Sequence, residues 1–284
     1  MDKISVVVRF HKSGNLDYLK LALFSLAIQQ GVQVLIQLFA QDCDDNIISE
    51  IHAFMKDLPY YKKTKIVIDN NSRRIVNGHR IFRIPKKKDC RSLMLDLGLK
   101  LSPTRYMAIL DYDDIVYQHC YSFLISRIKE THSAIAVGGC KKVILDVITD
   151  PTPFVVTKTP FKEKPINIID QMLTNNVPIH SFVLDREAIK KSDRYFRTDM
   201  HALEDYEFLL RVMSQYKTDF QGMSNFVCEY RIRNDQSHTT PFHAPDLFVF
   251  PNWKKGRSIV EKLKSRLKLG FTISEIEKSV HSVI

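Results

Sequence analysis

Three carboxylates fall within four residues at Asp111-Tyr112-Asp113-Asp114. The apolar run before them, Tyr106-Met107-Ala108-Ile109-Leu110, reads as a buried strand. Carboxylates crowded at a strand's end repel one another, and a divalent cation bound by oxygen is the commonest relief. The carboxyl edge of the strands is also where open α/β sheets take ligands. The motif therefore predicts a metal and phosphate site. The plain alternative is that the acids cap the next helix. A second acidic pair, Glu204-Asp205, opens a helix predicted over residues 204–216, where the helix dipole alone already favours negative charge.

The elements that must position these acids are legible as strand and helix in alternation. Residues 4–10 predict a first strand, too short an apolar run for a signal-peptide core. After the polar loop 11–15, apolar residues at 16, 19, 23, 26 and 27 give a helical stripe, with Gly31 as its stop. Strands are predicted at 32–40, 65–68, 80–84 and 105–110, and helices at 47–58 and 89–101. The acidic loop Asp42-Cys43-Asp44-Asp45 supplies a helix cap. Such alternation predicts a largely parallel, layered α/β sheet. Beyond the acidic motif, a helix is predicted over 115–130 and strands at 134–138, 142–147, 181–184 and 227–231. The prolines at 151, 153, 160 and 165 predict an extended loop over 150–165.

Composition narrows the class. A chain of 284 residues with 44% hydrophobic and 26% charged residues has the balance of a soluble globular protein. No run of eighteen apolar residues occurs, so no transmembrane helix is expected. Cysteines 43, 90, 120, 140 and 228 include no CxxC pair, which predicts free thiols in a reducing cytoplasm rather than disulfides or a zinc site. The net charge of +10 is uneven: residues 254–268 hold seven basic side chains against Glu261 alone, a net of +6. Such a block suggests an anionic partner. Ile259, Leu263 and Leu267 recur at every fourth position among these basic residues. They could dip into a membrane surface beside an interfacial Trp253, or pack on the rest of the protein. Ser274-Glu275-Ile276-Glu277 fits a capping box for a last short helix.

In order, these signals resemble a family 2 glycosyltransferase with the GT-A fold. Ser5-Val6-Val7-Val8-Arg9-Phe10-His11 is like the family's first strand and nucleotide loop. Residues 19–30 (LKLALFSLAIQQ) look like the helix that follows it. The segment 91–98 is similar to the family's "R…LN.G", with Asp96 in place of the usual Asn. Residues 109–114 are close to its "hLDxDD", and Leu203-Glu204-Asp205-Tyr206-Glu207-Phe208-Leu209-Leu210-Arg211 matches its "EDxxLxxR" segment. The likeness spans roughly residues 4–235.

The resemblance implies a GT-A, Rossmann-like mixed sheet flanked by helices. Residues 1–114 would form a nucleotide-binding half and 115–250 an acceptor-binding half, with a basic helical appendage at 251–284. It implies an inverting, hexosyltransferase-like enzyme of surface polysaccharide or glycolipid synthesis, cytoplasmic or peripheral on the inner face of the plasma membrane. The donor would be a nucleotide-diphospho-sugar (UDP or dTDP) and the acceptor a saccharide or glycolipid, with no nucleic acid expected. Mg²⁺ or Mn²⁺ would neutralise the leaving diphosphate. Asp113 would be the metal ligand, with Asp111 on the metal or the ribose. Asp205 would be the base that accepts the acceptor's proton, with Glu204 orienting it or contacting the acceptor. Phe10, His11 and Arg91 would contact the nucleotide, and Tyr112 would lie against the donor sugar. Two departures stand out. Gln41 sits near the slot where the family usually grips the base with an Asp, and could meet a uracil or thymine edge. Arg231-Ile232-Arg233 replaces an "RxH", leaving His238 as a substitute metal ligand.

A strand ending in Asp111 also resembles haloacid-dehalogenase-like phosphatases, in which that Asp is a nucleophile. That family opens on its motif strand, whereas here about a hundred residues of α/β pattern precede it. Nucleic-acid binding through the basic block and a degenerate, non-catalytic sugar-nucleotide binder complete the alternatives.

Overall fold

The computed structural model describes residues 1–58, 67–69, 73–76, 78–85, 88–148, 153–235 and 250–270. The first half runs β1 (Asp2–His11), α1 (Leu16–Ala27), β2 (Val32–Gln41), α2 (Asp45–Asp57), β3 (Val67–Asp69), β4 (Arg73–Val76), β5 (His79–Ile84), α3 (Arg91–Leu101) and β6 (Tyr106–Asp111). The second runs β7 (Ile115–Val116), α4 (Cys120–Thr131), β8 (Ile135–Val137), β9 (Gly139–Asp146), β10 (Phe154–Pro160), α5 (Ile168–Leu173) and β11 (Phe182–Asp185). It closes with α6 (Glu204–Met213), β12 (Thr218–Asp219), β13 (Phe226–Arg233) and α7 (Pro251–Lys264).

One sheet has the order β12-β8-β11-β6-β1-β2-β5-β4-β3, and a smaller one the order β10-β9-β13-β7. β1 lies parallel to both β2 and β6, and β2 parallel to β5. The four strands therefore end at the same edge, and that edge carries His11, Gln41 and Asp111. Strand alternation divides β1 between two cores. Ile4, Val6, Val8 and Phe10 join α1, α2 and α4 on one side, whereas Val7 joins α3 and α6 on the other. Gly98 lets α3 lie close on β1, since a Cβ there would collide with the Val7 side chain. Burying each such aliphatic side chain contributes roughly 1.5–3 kcal/mol.

Local chemistry sets the helix ends. Asn15 caps α1 by accepting from Asp17 N and Tyr18 N, and Asp44 of the acidic loop caps α2 through Ile47 N. Gly31, with φ +72°, makes the left-handed turn into β2.

Two expectations are corrected, and one alternative is resolved. Residues 115–130 are not one helix: Ile115 and Val116 pair with Glu229 and Cys228 of β13, and α4 begins only at Cys120. The proline-bearing segment is not simply a loop, because Phe154–Pro160 forms an edge strand on β9, with Pro160 at the strand's end, where an edge tolerates it. The apolar stripe of the basic C-terminal helix packs on the rest of the protein. Val260 is buried, and Ile259, Leu263 and Leu267 pack with it against Met200, Tyr206 and Leu210. Gly256 brings α7 so near the carbonyl of Ala202 that a Cβ would stand 2.5 Å from that oxygen. Residues 274–277 lie outside the described residues. Among the described residues, no helix is long and apolar enough to cross a membrane.

Candidate active site

A cavity of about 1290 Å³ opens at the carboxyl ends of β1, β2 and β6, facing the start of α6. Phe10, His11, Gln41, Arg91, Asp111, Tyr112, Asp113, Glu204 and Asp205 all line it. His238 lies outside the described residues. The fold thus brings one end of the parallel sheet against a helix start nearly a hundred positions downstream.

Arg9, which had drawn no role of its own from the sequence, joins the two acidic motifs. Its Nε and Nη2 donate to Asp111 Oδ1 at 2.8 and 2.5 Å, and its Nη1 donates to Glu204 Oε1 at 3.1 Å. Burial disfavours the charge on Arg9, but Asp111 and Glu204 more than restore it, so its pKa stands above the ordinary arginine value. Burial likewise pushes Asp111 upward, and Arg9 outweighs it, so Asp111 is held below the usual carboxylate range. An Arg one residue before the loop Phe10-His11, at the end of a buried strand, was the available signal.

Each remaining acid of the tetrapeptide also meets a cation. Arg233 Nη1 donates to Asp113 Oδ2 at 2.7 Å. His180 Nδ1 lies 3.1 Å from Asp114 Oδ2, while Asp114 Oδ1 accepts from Arg231 N at 2.7 Å. Burial opposes charge on His180, and Asp114 overcomes it, raising the imidazole well above its normal value. Asp113 is different. Burial first, then Asp114 and Asp111, push its pKa up, and Arg233 cancels only part of that. The donor set fits a hard cation: carboxylate oxygens, one carrying charge that its neighbours leave uncancelled. The arginines occupy Oδ1 of Asp111 and Oδ2 of Asp113, and the second oxygen of each carboxylate is not taken by these arginines.

Tyr112 is held by edge-on packing against Phe10 and His11, with ring centroids at 5.4 and 5.5 Å. Arg91 Nε donates to Asp89 Oδ2 at 2.9 Å, and Asp89 Oδ1 accepts from Arg91 N. Gln41 departs from its expected part. Its amide nitrogen donates to Lys88 O at 2.8 Å and its amide oxygen accepts from Cys90 N at 3.2 Å. The side chain braces the loop that leads to Arg91, so its amide is turned to that loop rather than offered whole to a base edge. Beside it, Asp42 lines the cavity in the left-handed region at φ +53°.

At the opposite wall, Leu203 stands at φ +60°, a strained value for a branched side chain, and launches α6. That turn presents Glu204 and Asp205 to the cavity. Asp205 is partly buried, and desolvation first, then the adjacent Glu204, pushes its pKa up to about 6. Two hydrogen bonds restrain it: Tyr206 N donates to Oδ1 at 2.8 Å and Asn175 Nδ2 to Oδ2 at 3.3 Å. Asn175 lies in the loop after α5, and nothing in its local sequence marked it. Trp253 of α7 lines this same cavity, so the basic helix contributes a wall of the site.

No protein-family model matches the sequence, and no curated protein does. Solved structures do. The fold superposes on S. aureus TarS 1–349 in complex with UDP-GlcNAc with a TM-score of 0.62 at 14% identity, covering 99% of this chain and 69% of that one. Against the crystal structure of TarS 1–349 the TM-score is 0.53 at 16% identity, covering 81% of this chain and 60% of that one. The chain has a glycosyltransferase fold of the GT-A-like kind. Against a further crystal structure of TarS, again with TM-score 0.53 and 16% identity, it spans 37% of the neighbour's length. At such identities the likeness speaks for the architecture.

Proposed function

We propose that this protein transfers a sugar from a nucleotide-diphospho-sugar to an acceptor hydroxyl, with inversion at the anomeric carbon. The observation that carries the reading is the shared cavity: an acidic metal-type motif and a carboxylate with a pKa of about 6 face one space, with Arg9 joining Asp111 to the neighbouring Glu204. A base poised near neutral pH is the kind that takes a proton in a transition state. Asp205 accepts the proton of the acceptor hydroxyl as its oxygen bonds to the anomeric carbon. The bond to the diphosphate breaks, and the nucleoside diphosphate leaves on the opposite face. Glu204, fixed by Arg9, keeps negative charge beside Asp205 and so keeps it basic.

Asp113, with Asp111, would hold Mg²⁺ or Mn²⁺. The ion supplies charge neutralisation for the leaving diphosphate. Arg91 and Arg233 supply further positive charge on the cavity wall, and Phe10, His11 and Tyr112 an aromatic surface for the nucleotide and sugar. The complexes of TarS with UDP-GlcNAc and UDP support a UDP-sugar as donor. The acceptor would be a saccharide or glycolipid of a surface polymer. With the apolar stripe of α7 packed on α6, contact with an anionic membrane rests on its exposed basic residues alone.

A thermal-shift panel of nucleotide sugars with Mn²⁺ tests the donor, because a ligand of the native state raises Tm by mass action. A UDP-sugar should stand out, and Asp113→Ala should abolish its shift. A panel in which no nucleotide sugar moves Tm would overturn the reading.

A further inference from the structure

Beneath the acidic motif lies a group of side chains that the transfer chemistry leaves unused. Cys140 of β9 and Cys228 of β13 are register partners on adjacent parallel strands, so their side chains share one face of the small sheet. His180, from the loop before β11, meets them there. One ligand atom from each of the three lies within 4.8 Å of the others. All three are almost wholly buried, with relative exposures of 5% for Cys140, 0% for Cys228 and 1% for His180.

The imidazole is oriented as a metal ligand would be. Its Nε2 is 3.6 Å from Cys140 Sγ, and its Nδ1 is 3.1 Å from Asp114 Oδ2. A carboxylate on the far nitrogen is the usual partner of a metal-bound histidine. Bonds of about 2.3 Å to sulfur and about 2.0 Å to nitrogen, at a tetrahedral angle, set the two ligand atoms roughly 3.6 Å apart. Cys140 also borders a second cavity of about 200 Å³, which gives a route from outside.

We propose that Cys140, Cys228 and His180 form a binding site for a thiophilic cation, zinc(II), separate from the oxygen-lined motif above it. Two thiolates and an imidazole select a soft or borderline ion over magnesium or manganese. Three protein ligands leave one tetrahedral position open. Binding releases the thiol protons and any proton on the imidazole, so affinity rises with pH. The ion would clamp β9 and β13 to the loop that carries His180. Through Asp114 it would fix the acidic tetrapeptide from below. No part of this rests on the transfer reaction.

The test uses the full chain, reduced and then loaded with zinc. After dialysis with excess Mg²⁺, native protein and the control Cys43→Ala should retain about one zinc per chain, and Cys140→Ala and Cys228→Ala should retain almost none. Circular dichroism reports whether those variants fold. Should they not, cobalt(II) added to the folded native chain decides instead, since a thiolate ligand gives a charge-transfer absorption in the near ultraviolet. Zinc retained by both folded cysteine variants, loss of zinc to Mg²⁺, or cobalt bound without that absorption would each overturn the proposal.

Discussion

Asp111 and Asp205 lie on opposite walls of one cavity, both partly buried, and are driven in opposite directions. Asp111 has an arginine on one oxygen and is held below the normal carboxylate range. Asp205 has a second carboxylate beside it and only neutral donors on its oxygens, so it is pushed up to about 6. Burial pushes both upward, so the sign is set by the neighbour, a cation in one case and an anion in the other. On the proposed reading the difference would divide the labour: one carboxylate would stay ionised to hold charge, and the other would exchange a proton.

The strongest way to break this contrast is Asp205→Asn. Donor binding, read as a Tm shift with UDP-sugar and Mn²⁺, should survive, and transfer should fall by about 10²–10⁴-fold. Full transfer by this variant would sink the base assignment. If Asp205 is the base it must be ionised to act, so in the native protein kcat/KM for transfer should fall as pH drops through about 6, with an acid limb at that position. Asp113→Ala should act on the other side of the contrast. It should abolish the metal-dependent part of donor binding while leaving folding intact, because deleting it also relieves repulsion from Asp114 and Asp111.

How far the sequence foretold this arrangement differs between the two walls. The tetrapeptide and the strand behind it were legible, because a buried strand ending in acids is a local pattern. All nine described candidate residues line the cavity, and Gln41 is the one whose side chain is turned to a neighbouring loop. Its amide meets Lys88 and Cys90, a contact across separate strands and loops that periodicity does not encode. Arg9 and Asn175 drew no role, and the pairing of Arg233 with Asp113 was not foreseen, for the same reason: their partners are 102, 30 and 120 residues away in sequence. The cluster of Cys140, Cys228 and His180 was hidden likewise, since parallel pairing, not spacing, makes neighbours of two distant thiols. α7 was visible as an amphipathic helix, yet an apolar stripe fits a helix neighbour as well as a lipid, and only packing on α6 decided.

Cutting the link between the walls should have a smaller effect than removing either acid. Arg9→Met takes away the cation that Asp111 and Glu204 share. The acid limb of the pH profile should move to higher pH, since Arg9 lowers both Asp111 and Asp205. A drop in rate with an unmoved limb would mean that Arg9 only supports the fold.

The smallest effects discriminate most finely, because they come in a pair of opposite sign. Asn175→Ala removes a donor that favours the ionised form of Asp205, so its acid limb should shift upward by less than about one unit. Glu204→Gln removes the neighbouring negative charge that raises Asp205, so its limb should shift downward. Both variants keep Asp205 itself and alter only its surroundings. If proton transfer to Asp205 limits turnover, the two profiles must separate on either side of the native one. Limbs that move together, or not at all, would assign the titration to another group and leave Asp205 a structural acid at a helix start.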